Sequence, residues 1–342
     1  MSESLPTVQR SAWLMRPGEV LVREVPLAPP GPGQVLVRIE RALVGGTDLK
    51  AYVRGHPQIP MPGPFGHRYS GAVAAVGPGA PPFAVGDPVM GVHSAPCLDC
   101  ALCHAKRQHL CKHVMREKVL GAFGQYLCIP AAVARQNLFA RPPHLSAEQA
   151  ALLEPLACVV HGMGLIDWRG VESVLVLGLG AMGLLFAQLL PLYTGARRAG
   201  AGRRPGRLAL ARRFGLEPVI DLSSERMSGS YDVVIECTGK LDGWQAAFER
   251  AAPGGQVLLF GGLPRETVFE ADSYRLHYEE VRLIGSFHFS PADVAKARDW
   301  LVAGDVEGGG LIGATLPLDG VGEALERLRK GDGVQYAIDP WR

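Results

Sequence analysis

The chain has 342 residues, 47% of them hydrophobic and 20% charged, and a formal net charge of +2. That length suits roughly two domains, each with a core of its own, and the composition is too apolar for disorder. The balanced charge offers no basic field for nucleic acid, no run of about 20 apolar residues could span a membrane, and the opening MSESLPTVQRSAW lacks the apolar stretch of a signal peptide.

Short β-type runs separated by Gly-Pro turns come first, Val35–Ile39 and Gly71–Val76 among them, and they predict a compact, irregular β domain. Seven cysteines are present. Four follow the pattern Cys97-x2-Cys100-x2-Cys103-x7-Cys111, while Cys128, Cys158 and Cys237 are scattered. A cytoplasmic location is expected, where thiols stay reduced, so the cluster reads as a metal site and not as disulfides. Four thiolates close a tetrahedral shell around zinc and leave no open position, so this zinc is expected to be structural. An iron–sulfur cluster is the alternative. His104, His109 and His113 are surplus to that shell and are expected at the surface.

Near residue 145 the texture changes. Ser146-Ala147-Glu148-Gln149 is a capping-box pattern before an apolar run and predicts a helix start. From Ser173 onward strand and helix alternate. Val174–Gly178, Asp232–Glu236 and Gln256–Phe260 read as buried strands, and Ala181–Leu190, Arg207–Phe214 and Trp244–Ala252 as helices. That alternation predicts a parallel, doubly wound sheet. Helices Ala292–Ala303 and Val321–Lys330 and a short strand near Gln335–Ile338 close the chain.

Gly178-Leu179-Gly180-Ala181-Met182-Gly183 is a G-x-G-x-x-G between a hydrophobic strand and a helix, the context a dinucleotide site requires. Its glycines permit a tight turn, close approach to a pyrophosphate and close helix–sheet packing, and the helix N-terminus offers unpaired amides. A glycine-rich turn without a ligand is the bland alternative. An acidic residue about 20 positions on would bind the ribose hydroxyls of NAD. Gly202 stands there instead, followed by Arg203 and Arg204, in a strand weakened by Arg197, Arg198 and Gly200. Space and two guanidinium groups suit a 2′-phosphate, so NADP is expected; a solvated arginine loop is the alternative. Thr238, Gly239 and Gly261, just beyond the later strands, complete the candidate nucleotide contacts.

Taken together, Gly46-Thr47-Asp48-Leu49-Lys50, Gly66-His67, the cysteine lobe, Leu153-Glu154-Pro155-Leu156, the Gly178–Gly183 turn and Gly285-Ser286-Phe287 identify a resemblance over nearly the whole chain. The chain resembles the zinc-containing medium-chain dehydrogenase/reductase family, in its polyol and threonine dehydrogenase branch. The resemblance implies an α/β chain: a chaperonin-10-like β catalytic domain from both chain ends, residues 1–153 and 288–342, and an inserted Rossmann domain, residues 154–287. It also implies a homodimer or homotetramer formed by sheet pairing near Arg282–Phe287.

Relatives with a catalytic zinc carry a cysteine before the Gly-Thr-Asp, then a His-Glu pair, then the Glu of Glu-Pro-Leu. Here the first position is Gly45 and the pair reads His67-Arg68, which leaves His67 and Glu154. A catalytic zinc usually has three protein ligands, and a fixed guanidinium repels a cation. No catalytic zinc is therefore expected; Cys158 as a substitute ligand is disfavoured for the same reason. Arg68 is expected to fill the vacated space and pair with Glu154. The alternative turns Arg68 outward and leaves Glu154 a hydrogen-bonded core carboxylate.

Without the ion, donors must stabilise charge developing on the substrate. Thr47 matches the family's relay hydroxyl. Lys50 stands where many relatives carry a relay histidine and is a candidate general acid or an ordinary solvated lysine. His67 and Arg68 are further candidates, and Tyr52 and His56 are possible cleft neighbours. The expected function is hydride transfer between NADP(H) and a small carbonyl or alcohol, iminium or conjugated alkene. A catalytically inactive NADP-binding sensor or accessory protein is the alternative.

Overall fold

The computed structural model describes residues 5–342. Contacts divide the chain into two compact units. One runs up to Ala157 and resumes at Phe289–Arg342; the other is Cys158–His288.

The first unit opens with a hairpin of β1 (Val8–Arg16) and β2 (Glu19–Pro26), and β1 also pairs with the two-residue β4 (Gly63–Pro64) beyond β3 (Val35–Val44). β3 is the hub of the main sheet. It pairs antiparallel with β5 (Tyr69–Val76) along one edge and with β7 (Tyr126–Ile129) along part of the other. β6 (Pro88–Gly91) and β8 (Leu138–Ala140) extend the sheet beyond β5. Alternate apolar residues of β3 and β5, with Phe65, Phe123 and Leu127, make the core. The capping box at Ser146 forms, but its helix is only Ala147–Ala150; a second helix, Leu153–Leu165, starts after a break and carries Pro155 in its first turn, where proline is tolerated.

The second unit is a six-stranded parallel sheet in the order β11-β10-β9-β12-β13-β14. These are β9 (Ser173–Leu177), β10 (Arg197–Gly202), β11 (Val219–Asp221), β12 (Tyr231–Glu236), β13 (Ala251–Leu259) and β14 (Arg282–Gly285). The order reverses between β9 and β12, which is where such sheets bind nucleotides. The helix placed at Trp244–Ala252 is instead Leu241–Glu249, and Ala251 already belongs to β13. Pro253 explains the shift, because the residue before a proline prefers extended backbone. Likewise Pro205, at the first helical turn, starts its helix two residues ahead of Arg207.

The chain then returns to the first unit. β15 (Ile312–Pro317) pairs with β16 (Gln335–Asp339), and β16 pairs antiparallel with β3, Tyr336 opposite Val44. The amphipathic helix Val321–Lys330 buries Val321, Ala324, Leu325 and Leu328 in the core behind them. Among the described residues no helix is long and apolar enough to cross a membrane.

Candidate active site

A cluster of charged side chains lies inside the first unit. Gly45 precedes the helix Gly46–Arg54, and Asp48 accepts the Gly45 N–H through Oδ2 at 2.9 Å. Asp48 is fully buried, and its Oδ1 lies 3.2 Å from His67 Nδ1. His67 and Arg68 lead into β5 behind Gly66, whose φ of 90° suits glycine and whose missing side chain makes room for Phe123. Arg68 is turned inward. Its Nε donates to Glu154 Oε2 at 2.9 Å and its Nη1 to Gln335 Oε1 at 2.9 Å. Arg68 and Glu154 are 4% and 5% exposed. A Cβ on Gly45 would stand 2.1 Å from Arg68 Nη1, so the guanidinium fills the space a side chain at 45 would need.

Two imidazoles complete the cluster. His67 Nε2 lies 3.8 Å from Glu154 Oε2 and His93 Nδ1 3.7 Å from Glu154 Oε1. Their rings meet edge to face at 5.2 Å, and His93 packs on Phe289. Glu154 faces the Arg68 guanidinium and Asp48 faces His67, so a proton on His67 would balance the second carboxylate. Burial opposes that proton, but Asp48, backed by Glu154, outweighs burial and the nearby Arg68, and the pKa of His67 is raised.

Thr47 and Lys50 are half-buried on the helix that carries Asp48. His56 is held below its ordinary pKa by burial and then by Lys50, His67, Lys118 and Arg54, so this end of the helix is electropositive. Tyr52, expected as a cleft neighbour, instead belongs to the core: it is 9% exposed and hydrogen-bonds Glu326. Its place four residues after Asp48 puts it on the helix face turned to the core.

The four thiols converge. Cys100 and Cys103 sulfurs are 3.6 Å apart, Cys100 and Cys111 3.9 Å, and Cys97 and Cys111 3.5 Å. A tetrahedron with bonds of about 2.3 Å requires about 3.8 Å between sulfurs. Backbone amides of Cys97 and His113 point at Cys111 Sγ at 3.3 and 3.4 Å, and amides of Cys103 and Lys112 bring the Cys100 thiol down to about 6. Among the described residues this is the one set of three or more His, Cys, Asp or Glu side chains arranged to hold a metal; Cys158 joins none, and His104, His109 and His113 stand outside the set.

In the second unit, a cavity of about 580 Å³ opens at the carboxyl ends of β9, β10 and β12. Gly178, Gly180, Gly202, Arg203, Arg204 and Thr238 line it. Gly178 has φ 99°, and Gly180 caps the helix Ala181–Leu189, which starts with Ala181 and Met182. A Cβ on Gly183 would meet the Gly178 carbonyl oxygen at 2.1 Å, so that glycine serves helix–strand packing. Gly239 and Gly261 are off the cavity wall: a Cβ on Gly261 would reach the Gly239 nitrogen at 2.3 Å. Six cationic side chains line the cavity against three acidic ones, and Arg207 and Arg226 stand with Arg203 and Arg204. The buried Glu236 fixes the turn beyond β12 by accepting from the Thr238 amide at 2.6 Å and the Gly239 amide at 3.2 Å, and from the Thr238 hydroxyl.

Sequence reasoning passed over several of these residues. Asp48 sat inside a motif it quoted, and Glu236 was an acid closing an apolar strand, so both carried a signal. His93 and Gln335 carried none, because neither belongs to a local pattern.

Residues 31–137 match the alcohol dehydrogenase GroES-like domain, and residues 181–303 match the zinc-binding dehydrogenase domain. L-threonine 3-dehydrogenase of Mesorhizobium japonicum is 30% identical over 335 residues, 94% of this chain and 95% of that protein. A crystal structure described as a zinc-binding dehydrogenase from Sinorhizobium meliloti 1021, bound to NADP, superposes with a TM-score of 0.88 at 28% identity, over 98% of this chain and 100% of that one. Acetophenone reductase from Geotrichum candidum, in complex with NAD, shares the fold with a TM-score of 0.86 at 24% identity, over 99% of each chain. The chain belongs to the zinc-binding, alcohol dehydrogenase-like medium-chain dehydrogenase/reductase family, a family of oxidoreductases.

Proposed function

We propose that this oxidoreductase moves hydride between NADP(H) and a small carbonyl or alcohol, iminium or conjugated alkene compound, with no zinc in its catalytic cleft and one in the cysteine lobe. The observation that carries this reading is the Arg68 guanidinium, paired with Glu154 at 2.9 Å and seated over Gly45. The donor set does not fit a catalytic zinc. Only His67 and Glu154 remain of the expected ligands, and a permanent cation already neutralises the carboxylate. The lobe does fit a structural zinc: Cys97, Cys100, Cys103 and Cys111 would be its ligands, their sulfurs all within 4.8 Å of one another and three pairs at 3.5–3.9 Å.

NADP(H) is supported by the electropositive cavity, by Gly202 where an acid would bind the ribose, and by the NADP found in the similar S. meliloti structure. When bound, the coenzyme supplies or accepts the hydride. Reduction of a carbonyl also needs one proton on oxygen. Asp48 and Glu154 raise the proton affinity of His67, and Thr47 and Lys50, on the helix that carries Asp48, are the candidate donors to the substrate. The leaning of NADP enzymes towards reduction fits this direction, and a cytoplasmic location fits the reduced thiols.

The test is NADPH oxidation against aldehydes, quinones and enones, run beside metal content and an anomalous-scattering map. Turnover with one zinc per chain, at the cysteines, is expected. A second ion held by His67 and Glu154 refutes the zinc-free reading. Tight NADPH binding without turnover favours the sensor or accessory protein.

A further inference from the structure

Gly45 and Arg68 claim the same volume. A Cβ at 45 would lie 2.1 Å from Nη1 and 2.9 Å from Cζ of Arg68, and the guanidinium cannot swing aside without abandoning Glu154 and Gln335 in a region closed to solvent. Around them the remaining parts of a coordination site are still in order. Asp48 faces His67 Nδ1, which leaves Nε2 turned towards Glu154 Oε2 at 3.8 Å. Bonds of 2.0–2.1 Å to a tetrahedral ion place such atoms about 3.4 Å apart. A histidine backed by a carboxylate is also the usual outer support of a metal ligand.

Resting on the zinc-free reading, we propose that Gly45 and Arg68 form an interlock that keeps a divalent ion out of an otherwise preserved site. Neither half can be released alone. A thiol at 45 meets the guanidinium, and removing Arg68 by itself leaves one imidazole and one carboxylate of the original set, short of the three protein ligands that hold zinc. Changing both together opens the space and supplies the missing donor. The two positions are therefore strongly non-additive.

The experiment measures zinc per chain, after gel filtration, for the wild type, Gly45→Cys, Arg68→Met, which removes the guanidinium without adding a donor, and the double variant. The double variant is expected to gain one zinc per chain over the wild type, and each single variant none. A folded double variant with wild-type zinc content overturns the interlock and leaves the zinc-free reading standing. A wild-type chain that already holds an ion at His67 and Glu154 overturns the reading itself. Should the double variant not fold, thermal melting of a second series decides. Gly45→Ala is expected to lower the Tm by several degrees in the wild type and to change nothing beside Arg68→Met; equal losses in the two backgrounds overturn the interlock.

Discussion

Arg68 carries a permanent charge into a site where 4% of its surface meets solvent. Such a charge is tolerable only if its hydrogen bonds are met, and Glu154 and Gln335 meet two of them at 2.9 Å each. Replacing Arg68 with Met leaves the Glu154 carboxylate buried and unbalanced, which costs about 3–5 kcal/mol. Urea denaturation of Arg68→Met should show that loss, and a loss below about 1 kcal/mol would mean that the pair contributes little. His67 adds a pH dependence. Its folded pKa lies above the ordinary 6.5, so the stability its proton confers is complete below that value and vanishes as pH climbs through the raised one. Across that window the wild type should lose stability relative to His67→Gln, and parallel curves for the two proteins would contradict it. The importance of Arg68 was legible in the sequence, since it breaks a motif beside the retained His67. Gln335 was not: it lies 267 positions away in a strand whose pattern marks nothing.

β10 shows how an element can defy its own composition. Two arginines open it and two glycines sit within it, yet it pairs with β9 on one side and β11 on the other. Neighbouring ladders and buried Ala199 and Ala201 decide the strand, and local propensity yields. The glycines earn their places sterically: a Cβ on Gly200 would meet Leu216 at 2.7 Å. The periodic helices and the apolar β9, β12 and β13 were readable because pattern and packing agree there; helix ends drifted where proline overrode the apolar run. In the proposed function, coenzyme choice rests on this element and its exit turn. Removing both guanidinium groups with Arg203→Ser and Arg204→Ser should raise the KM for NADPH by at least about tenfold, the equivalent of one charge-assisted hydrogen bond. The KM for NADH should move far less, and steady-state kinetics with the two coenzymes checks it. Equal changes for both would place the 2′-phosphate elsewhere.

At the scale of the molecule, one edge of the six-stranded sheet, at β14, is open among the described residues. β14 has a ladder neighbour on one side, and Tyr274, Tyr278 and Phe287 of the same unit are 59%, 72% and 50% exposed. Unpaired edges and apolar surface invite another chain. A second copy of this protein should cover them, giving a mass by light scattering of at least twice 36.6 kDa; a single-chain mass would count against it. The split first unit has a different consequence. A ribosome delivers β3 and Arg68 early, but β16 and Gln335 only after the entire second unit has emerged. Until β16 emerges, the nascent first unit keeps an open edge on β3 and an Arg68 guanidinium without its Gln335 partner, so its exposure to misfolding is greatest during that interval.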